Sequence, residues 1–188
     1  VIRVGEMPTS KILRQWIAQT QPRQFVIDPG DRNLDPTHGL TIHLRGSIDA
    51  LTLPEPQPPS EYLWRWCELE GQVGDRLDAK LSAIDWLFEG KTAWMLSQHL
   101  PPQTPLFIAN SMPVRDVEWF WRPGNLRIRS HFNRGANGID GTLSSALGMA
   151  HRQPPSVLLT GDLACLHDTN GLLLRRQFVG SLTIVLLN

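Results

Sequence analysis

Ser156-Val-Leu-Leu-Thr160 runs into Gly161-Asp162, and Leu182-Thr-Ile-Val-Leu-Leu187 runs into Asn188, with one helix-length segment between the two. Short, continuous apolar runs are how strands buried on both faces of a parallel sheet read. Parallel neighbours need a crossover of a dozen or more residues, and the stretch after Asp162 is long enough to supply one. Both strands then end on the same edge of one sheet. Ligands of open α/β sheets bind outside the carboxyl ends of the strands, so an acid after one strand and an amide after its neighbour can meet at one small ligand. Mg²⁺ takes hard oxygen donors, a few from protein and the rest from phosphate and water. Asp162 and Asn188 therefore frame a magnesium diphosphate site.

The same alternation extends upstream. Pro105-Leu-Phe-Ile-Ala109 reads as a strand, Pro113 to Trp121 as a helix and Leu126-Arg-Ile-Arg-Ser130 as a strand, and a helix with one apolar face follows from Ile139 to Ala150. Strands alternating with helices predict an α/β fold built on a parallel sheet. Nearer the start, Ser10 to Gln19 carries apolar residues at helical spacing with Ser10 as N-cap. Gln24-Phe-Val-Ile-Asp28 and Leu40-Thr-Ile-His-Leu44 are two further strands. Four prolines between Leu51 and Ser60 make an extended, semi-rigid segment. That segment divides a first part, residues 1–56, from a second, residues 57–188. From Ser60 to Leu100 the pattern is helical. Gly71 and Gly90 are expected to break it into separate helices, and its tryptophans to pack against the rest of the domain.

Composition narrows the function. Lys and Arg number 18, Asp and Glu 18, and the formal net charge is zero. Nucleic acid or an anionic membrane would call for a basic excess on some face, so neither is expected as a partner. No apolar run approaches the ~20 residues that span a bilayer. Two widely spaced cysteines, Cys67 and Cys165, suggest neither a disulfide framework nor a metal motif, and a reduced, cytoplasmic setting is the plain reading.

Polar residues follow every strand of the second half: Asn110-Ser111, Asn133-Arg134-Gly135, Gly161-Asp162 and Asn188. Any one of them could simply cap a helix. Four on one edge suggest a ligand site. Asn133-Arg-Gly-Ala-Asn-Gly-Ile-Asp-Gly141 is the densest stretch, with three glycines and a helix expected to begin near Ile139, where exposed amides would face an anion. It matches neither the Walker loop nor the dinucleotide fingerprint. Arg115 and Arg134 offer planar forks suited to carboxylates, and Lys11 is a weaker candidate of the same kind. His131, His167 and Asp168 lack metal or catalytic spacing and read as surface or supporting groups. Ser111 has neither a nucleophile-elbow sequence nor an evident base.

Three stretches together, Asn110-Ser-Met-Pro-Val-Arg-Asp116, Asn133 to Gly141 and Gly161-Asp-Leu-Ala-Cys-Leu-His-Asp-Thr-Asn170, resemble the motifs of the 2-succinyl-5-enolpyruvyl-6-hydroxy-3-cyclohexene-1-carboxylate synthases. These are thiamine diphosphate enzymes of menaquinone and phylloquinone biosynthesis. The resemblance covers the whole chain, Gly5 to Trp16 included. It implies that residues 1–56 end a central α/β domain and that 57–188 begin a diphosphate-binding domain. It also implies a transferase reaction in which 2-oxoglutarate is decarboxylated and the succinyl carbanion adds to isochorismate.

Carried onto this sequence, the resemblance gives Ser111, Arg115, Arg134 and Lys11 to substrate carboxylates. Gly138, Ile139, Gly161, Asp162, Leu163 and Ala164 go to thiamine diphosphate, and Asp162 to Mg²⁺ or Mn²⁺. Ile139 would be the apolar wedge that bends the cofactor. The activating glutamate of such enzymes comes from another domain, and active sites form between subunits of a homo-oligomer. No catalytic residue is therefore expected within these 188, and the chain alone is expected not to turn over. The alternatives are another thiamine diphosphate carboligase or decarboxylase, and a non-catalytic α/β binding module.

Overall fold

A computed structural model describes residues 1–8, 10–52, 55, 58–133 and 138–188. The chain forms two compact units, Val1–Arg65 and Trp66–Asn188.

In the first unit, strands β1 (Ile2–Val4), β2 (Gln24–Asp28) and β3 (Thr41–Arg45) lie side by side in that order, all parallel. Helix α1 (Lys11–Thr20) is the crossover between the first two, and the Ser10 side chain accepts a hydrogen bond from Leu13 N at 3.2 Å, as an N-cap should. Strand β1, three residues long, is too short to show in the sequence pattern. Ile17, Val26, Ile27 and Leu34 fill the core.

The second unit carries the longer sheet. Helix α2 (Glu61–Ser82), whose first turn belongs to the first unit, and α3 (Glu89–His99) lead into strand β4 (Pro105–Ile108). Helix α4 (Met112–Phe120), strand β5 (Arg129–His131), helix α5 (Thr142–Ala150), strand β6 (Ser156–Gly161), helix α6 (Asp162–His167), a 3₁₀ segment (Thr169–Arg176) and strand β7 (Leu182–Leu187) follow. The sheet order is β5-β4-β6-β7 and every pairing is parallel. Alternation along the strands covers both faces. Phe107 and Leu158 pack with Leu143, Ala146 and Leu147 of α5 on one side. Leu106, Ile108 and Leu159 pack with Leu100, and with Val114 and Val117 of α4, on the other. An α/β fold with parallel sheets is thus what the apolar runs predicted.

Several expectations need correction. Gly71 breaks nothing: α2 runs through it without interruption. The break lies at residues 83–88, and Gly90 sits inside the first turn of α3. The tryptophans of the helical region are mostly exposed. Trp64, Trp66 and Trp86 are 64%, 58% and 68% exposed, and only Trp94 is buried, donating its indole N–H to Asp78 Oδ1 at 2.7 Å. Helical spacing places such residues on one face, but what covers that face is a tertiary matter. Strand β5 begins at Arg129, not Leu126, because pairing with Pro105–Phe107 sets its register.

Candidate functional site

Register brings the strand ends together. Gly161 pairs with Leu187 as the last step of the β6–β7 ladder, so Asp162 and Asn188 leave the sheet as neighbours. Beside β6, strand β4 ends with Ala109 N donating to Leu159 O at 2.9 Å and delivers Asn110 and Ser111 to the same edge. A cleft of about 240 Å³ opens there. Asp162 and Asn188, Ser111, Ile139, and the Gly161-Leu163-Ala164 stretch around the start of α6 all line it. Six of the residues expected from sequence therefore share one hollow with Asn188.

Ser111 has an unusual backbone, at φ 74° and ψ −130°. Side-chain-bearing residues rarely hold such angles, which cost on the order of 1–3 kcal/mol and persist where the surroundings enforce them. Strand β4 thus passes through a strained corner into α4, as a nucleophile elbow does, although the sequence shows no such motif. No hydrogen bond reaches the Ser111 hydroxyl among the described residues, and no base activates it. The corner presents a polar group to the cleft.

Asn110 turns the other way. It is 5% exposed, and its Nδ2 donates to Asn133 O at 2.8 Å and to Gly138 O at 2.7 Å. The carbonyl of the next residue, Ile139, accepts from Thr142 Oγ1 at 2.8 Å. Those contacts hold the segment from which Ile139 enters the cleft.

Helix α5 starts at Thr142, three residues later than expected, with Gly141 at φ 69° as its N-cap. Part of its first turn is taken by an acceptor from this chain. Ser144 N and Oγ donate to the Asp168 carboxylate at 2.5 and 2.9 Å, and an acceptor there satisfies groups that a helix start leaves open. His167 Nδ1 lies 3.0 Å from Asp140 Oδ1. Both His167 and Asp168 therefore brace the loop between Gly138 and α5, a supporting part that agrees with the sequence reading.

The arginines are placed differently. Arg115 curls back to give Nη1 to Ser111 O at 2.6 Å and is not among the residues lining the cleft. Arg134 lies outside the described residues. Lys11 belongs to the first unit, exposed at the start of α1. Gly138 adjoins the cleft through its bond to Asn110.

Sequence reasoning missed Glu89, Met112 and Leu187, which also line the cleft. Glu89 comes from α3, and packing of α3 against α4 brings it in. The one local signal was an acid in a helix's first turn, which reads as a dipole partner and nothing more. Behind it, Asp116 of α4 is 3% exposed with Oδ2 unpartnered. Burial, and next the charge of Glu89, push its pKa above the ordinary carboxylate value, with Arg115 opposing.

These donors suit a hard cation. The Asp162 carboxylate has no hydrogen-bond partner among the described residues, and the Asn188 amide stands beside it. Two carboxylates on the cleft wall, Glu89 and Asp162, would repel a diphosphate unless a cation stood between them. No group of three or more His, Cys, Asp or Glu capable of holding a metal occurs among the described residues. Mg²⁺ needs only one or two protein ligands when phosphate supplies the others. No helix among the described residues is long and apolar enough to cross a membrane.

No family model matches the chain. Over its whole length, aligned across 192 residues, it is 62% identical to the 2-succinyl-5-enolpyruvyl-6-hydroxy-3-cyclohexene-1-carboxylate synthase of Nostoc sp. (strain PCC 7120 / SAG 25.82 / UTEX 2576). It is 62% identical to the protein of the same name from Trichormus variabilis and 55% to that from Gloeothece citriformis, again over 192 residues and 100% of this chain. In each case the match covers 33% of the relative, so the chain spans about a third of the length of the curated relatives it matches. With 55–62% identity over its whole length, the chain is thus similar to about a third of the length of these 2-succinyl-5-enolpyruvyl-6-hydroxy-3-cyclohexene-1-carboxylate synthases.

Proposed function

We propose that this chain supplies the diphosphate- and metal-binding part of a thiamine diphosphate-dependent transferase. The reaction decarboxylates 2-oxoglutarate and joins the succinyl unit to isochorismate, on the route to menaquinone or phylloquinone. The observation that carries the reading is the register Gly161 to Leu187, which sets Asp162 and Asn188 side by side in a cleft shared with Ser111 and Ile139.

Asp162 holds Mg²⁺ or Mn²⁺, with Asn188 marking the second strand of the metal turn. Gly161, Leu163 and Ala164, which line the cleft around the start of α6, receive the diphosphate, and Gly138 and Ile139 support the ring system. When bound, thiamine diphosphate supplies the electron sink that lets a 2-oxo acid lose carbon dioxide and its acyl carbon attack an acceptor. Ser111, Arg115, Arg134 and Lys11 orient substrate carboxylates. Arg115 would have to exchange its bond to Ser111 O for such a group. Catalytic proton transfer is assigned to no residue of this chain, and a cytoplasmic homo-oligomer with sites between subunits is part of the same proposal. The relatives' shared name does not favour another carboligase, and a non-catalytic module has no need of a strained serine and, among the described residues, an unpaired acid at its strand ends.

Calorimetry tests the reading in a polypeptide of the relatives' full length that carries this chain. Thiamine diphosphate should bind only with Mg²⁺ or Mn²⁺ present. Asp162→Asn should weaken that binding by at least about 10–100-fold, the range for groups that merely support a metal's ligands, with the melting temperature of the unliganded protein unchanged. Undiminished metal-dependent binding by the variant would remove Asp162 from the role.

A further inference from the structure

Among the described residues that line the cleft, Asn110 is the buried polar one. Its Nδ2 carries two N–H groups, and Asn133 O at 2.8 Å and Gly138 O at 2.7 Å accept from them. These two carbonyls belong to residues five apart on the far side of β5. The amide is almost fully buried, so water does not compete for those donors. Asn133 carries the tie onward, its Nδ2 donating to Ser145 Oγ of α5 at 3.0 Å. On the other flank Thr142 Oγ1 donates to Ile139 O. Ile139 is therefore bracketed, its preceding carbonyl held by Asn110 and its own by Thr142. Ile139 lines the cleft, and Asn110 reaches it from the strand next to Asp162's.

We propose that Asn110 is a positioning residue, whose side-chain amide holds the Gly138 carbonyl so that Ile139 keeps a fixed place in the cofactor cleft. The proposal rests on the functional reading above for what Ile139 touches, but the tie itself is a property of the unliganded protein. An amide is the side chain that suits the place. Asp has the same shape but would set acceptors against two carbonyl oxygens, and Ser could serve one carbonyl at most. The strained corner at Ser111 follows at once in the chain, so the residue that anchors the loop also anchors the turn that presents the serine.

The test uses Asn110→Asp, Asn110→Ser, Ile139→Ala and the double variant Asn110→Asp/Ile139→Ala, in a polypeptide of the relatives' full length that carries this chain. Hydrogen–deuterium exchange on the protein without cofactor reads the tie directly. Peptides covering residues 138–141 should exchange about ten-fold faster in Asn110→Asp and by an intermediate factor in Asn110→Ser, with β6 and β7 unchanged. In turnover, Asn110→Asp should lower kcat by about ten-fold or more while the affinity for thiamine diphosphate with Mg²⁺ stays within about three-fold, because Asp162 is untouched. On the Ile139→Ala background the same substitution should cost less than about three-fold, since both act through one side chain.

Unchanged exchange at 138–141 would overturn the proposal, as would effects of Asn110→Asp and Ile139→Ala that simply multiply. If Asn110→Asp does not fold, Asn110→Ser carries the same comparisons. Altered exchange in a protein that binds no thiamine diphosphate would leave the tie standing and reject the functional reading instead.

Discussion

Gly71→Ala and Gly90→Ala are one chemical change made in two helices, and they should move stability in opposite directions. Gly71 lies on the exposed middle of α2, where an added Cβ meets nothing within 4 Å. Alanine there should gain the ~0.5–1 kcal/mol by which it exceeds glycine in a helix interior. Gly90 is buried in the first turn of α3, and its Cβ would stand 2.4, 2.6 and 2.8 Å from three carbons of the Phe120 ring. That ring is not free to swing away without loss. It meets Phe88 edge-on, with centroids 6.0 Å apart and planes at 82°, a contact of about 0.5–1.5 kcal/mol.

Overpacking costs about 1–3 kcal/mol, and the helix-propensity gain offsets only part of it because residue 90 lies at the helix start. The net for Gly90→Ala is about 1–2 kcal/mol of destabilisation. Urea unfolding followed by circular dichroism should show the midpoint rising for Gly71→Ala and falling for Gly90→Ala, with the slope unchanged in both. A Gly90→Ala protein as stable as the parent would refute the packing of α3 on α4. That packing is also what carries Glu89 into the cleft.

In the first unit, Asp35 accepts from Thr37 N, Thr37 Oγ1, Gly39 N and Thr41 Oγ1 at 2.7–3.2 Å. Burial alone would raise its pKa, but the bonds from Thr41, Thr37 and Gly39 outweigh it and hold the group below the ordinary 3.8. A depressed folded pKa gives stability that is complete above the unfolded value and is lost as pH falls through the folded one. Acid titration of the melting temperature should therefore show a loss below about pH 4 that Asp35→Ala lacks. That variant should also be about 3 kcal/mol less stable at neutral pH, with four donors stranded, and equal stability would contradict the network. Asp116 has the opposite sign. Its folded pKa is raised, so ionisation becomes a cost as pH climbs above the unfolded carboxylate value of 3.8. Asp116→Asn should accordingly melt above the parent at pH 7, with the gap closing towards pH 4, and a constant gap would argue against the buried charge.

The parallel strands were legible because a strand buried on both faces has to be apolar throughout. Gln24–Asp28, Pro105–Ile108 and Ser156–Gly161 were accordingly found within a residue or so, and Leu182–Leu187 was found from its apolar run although it lies at the edge of its sheet with no buried residue. Arg129–His131 was misplaced by three residues because a short, exposed edge strand takes its limits from its partner. The start of α5 was misjudged for a related reason. Gly141 at positive φ and the distant Asp168 carboxylate decide where that helix begins, and neither shows in apolar spacing. In the site, Asp162 and Asn188 were readable as strand-end residues. Glu89, the inward turn of Asn110 and the backward curl of Arg115 were not, since each depends on contacts between separate elements.

Alone, the sequence determined the α/β class, the parallel strands, the polar edge at their carboxyl ends and the kinship that those motifs carry. All of these follow from local pattern, because apolar periodicity and strand-end chemistry are written in consecutive residues. The tertiary structure decided which ends meet, how Ser111 is strained, what holds Ile139 and which tryptophans stay exposed. Those depend on register and packing between residues far apart in the chain, where energies of a few kcal/mol from hydrogen bonds and close contacts choose among arrangements that local pattern leaves equal.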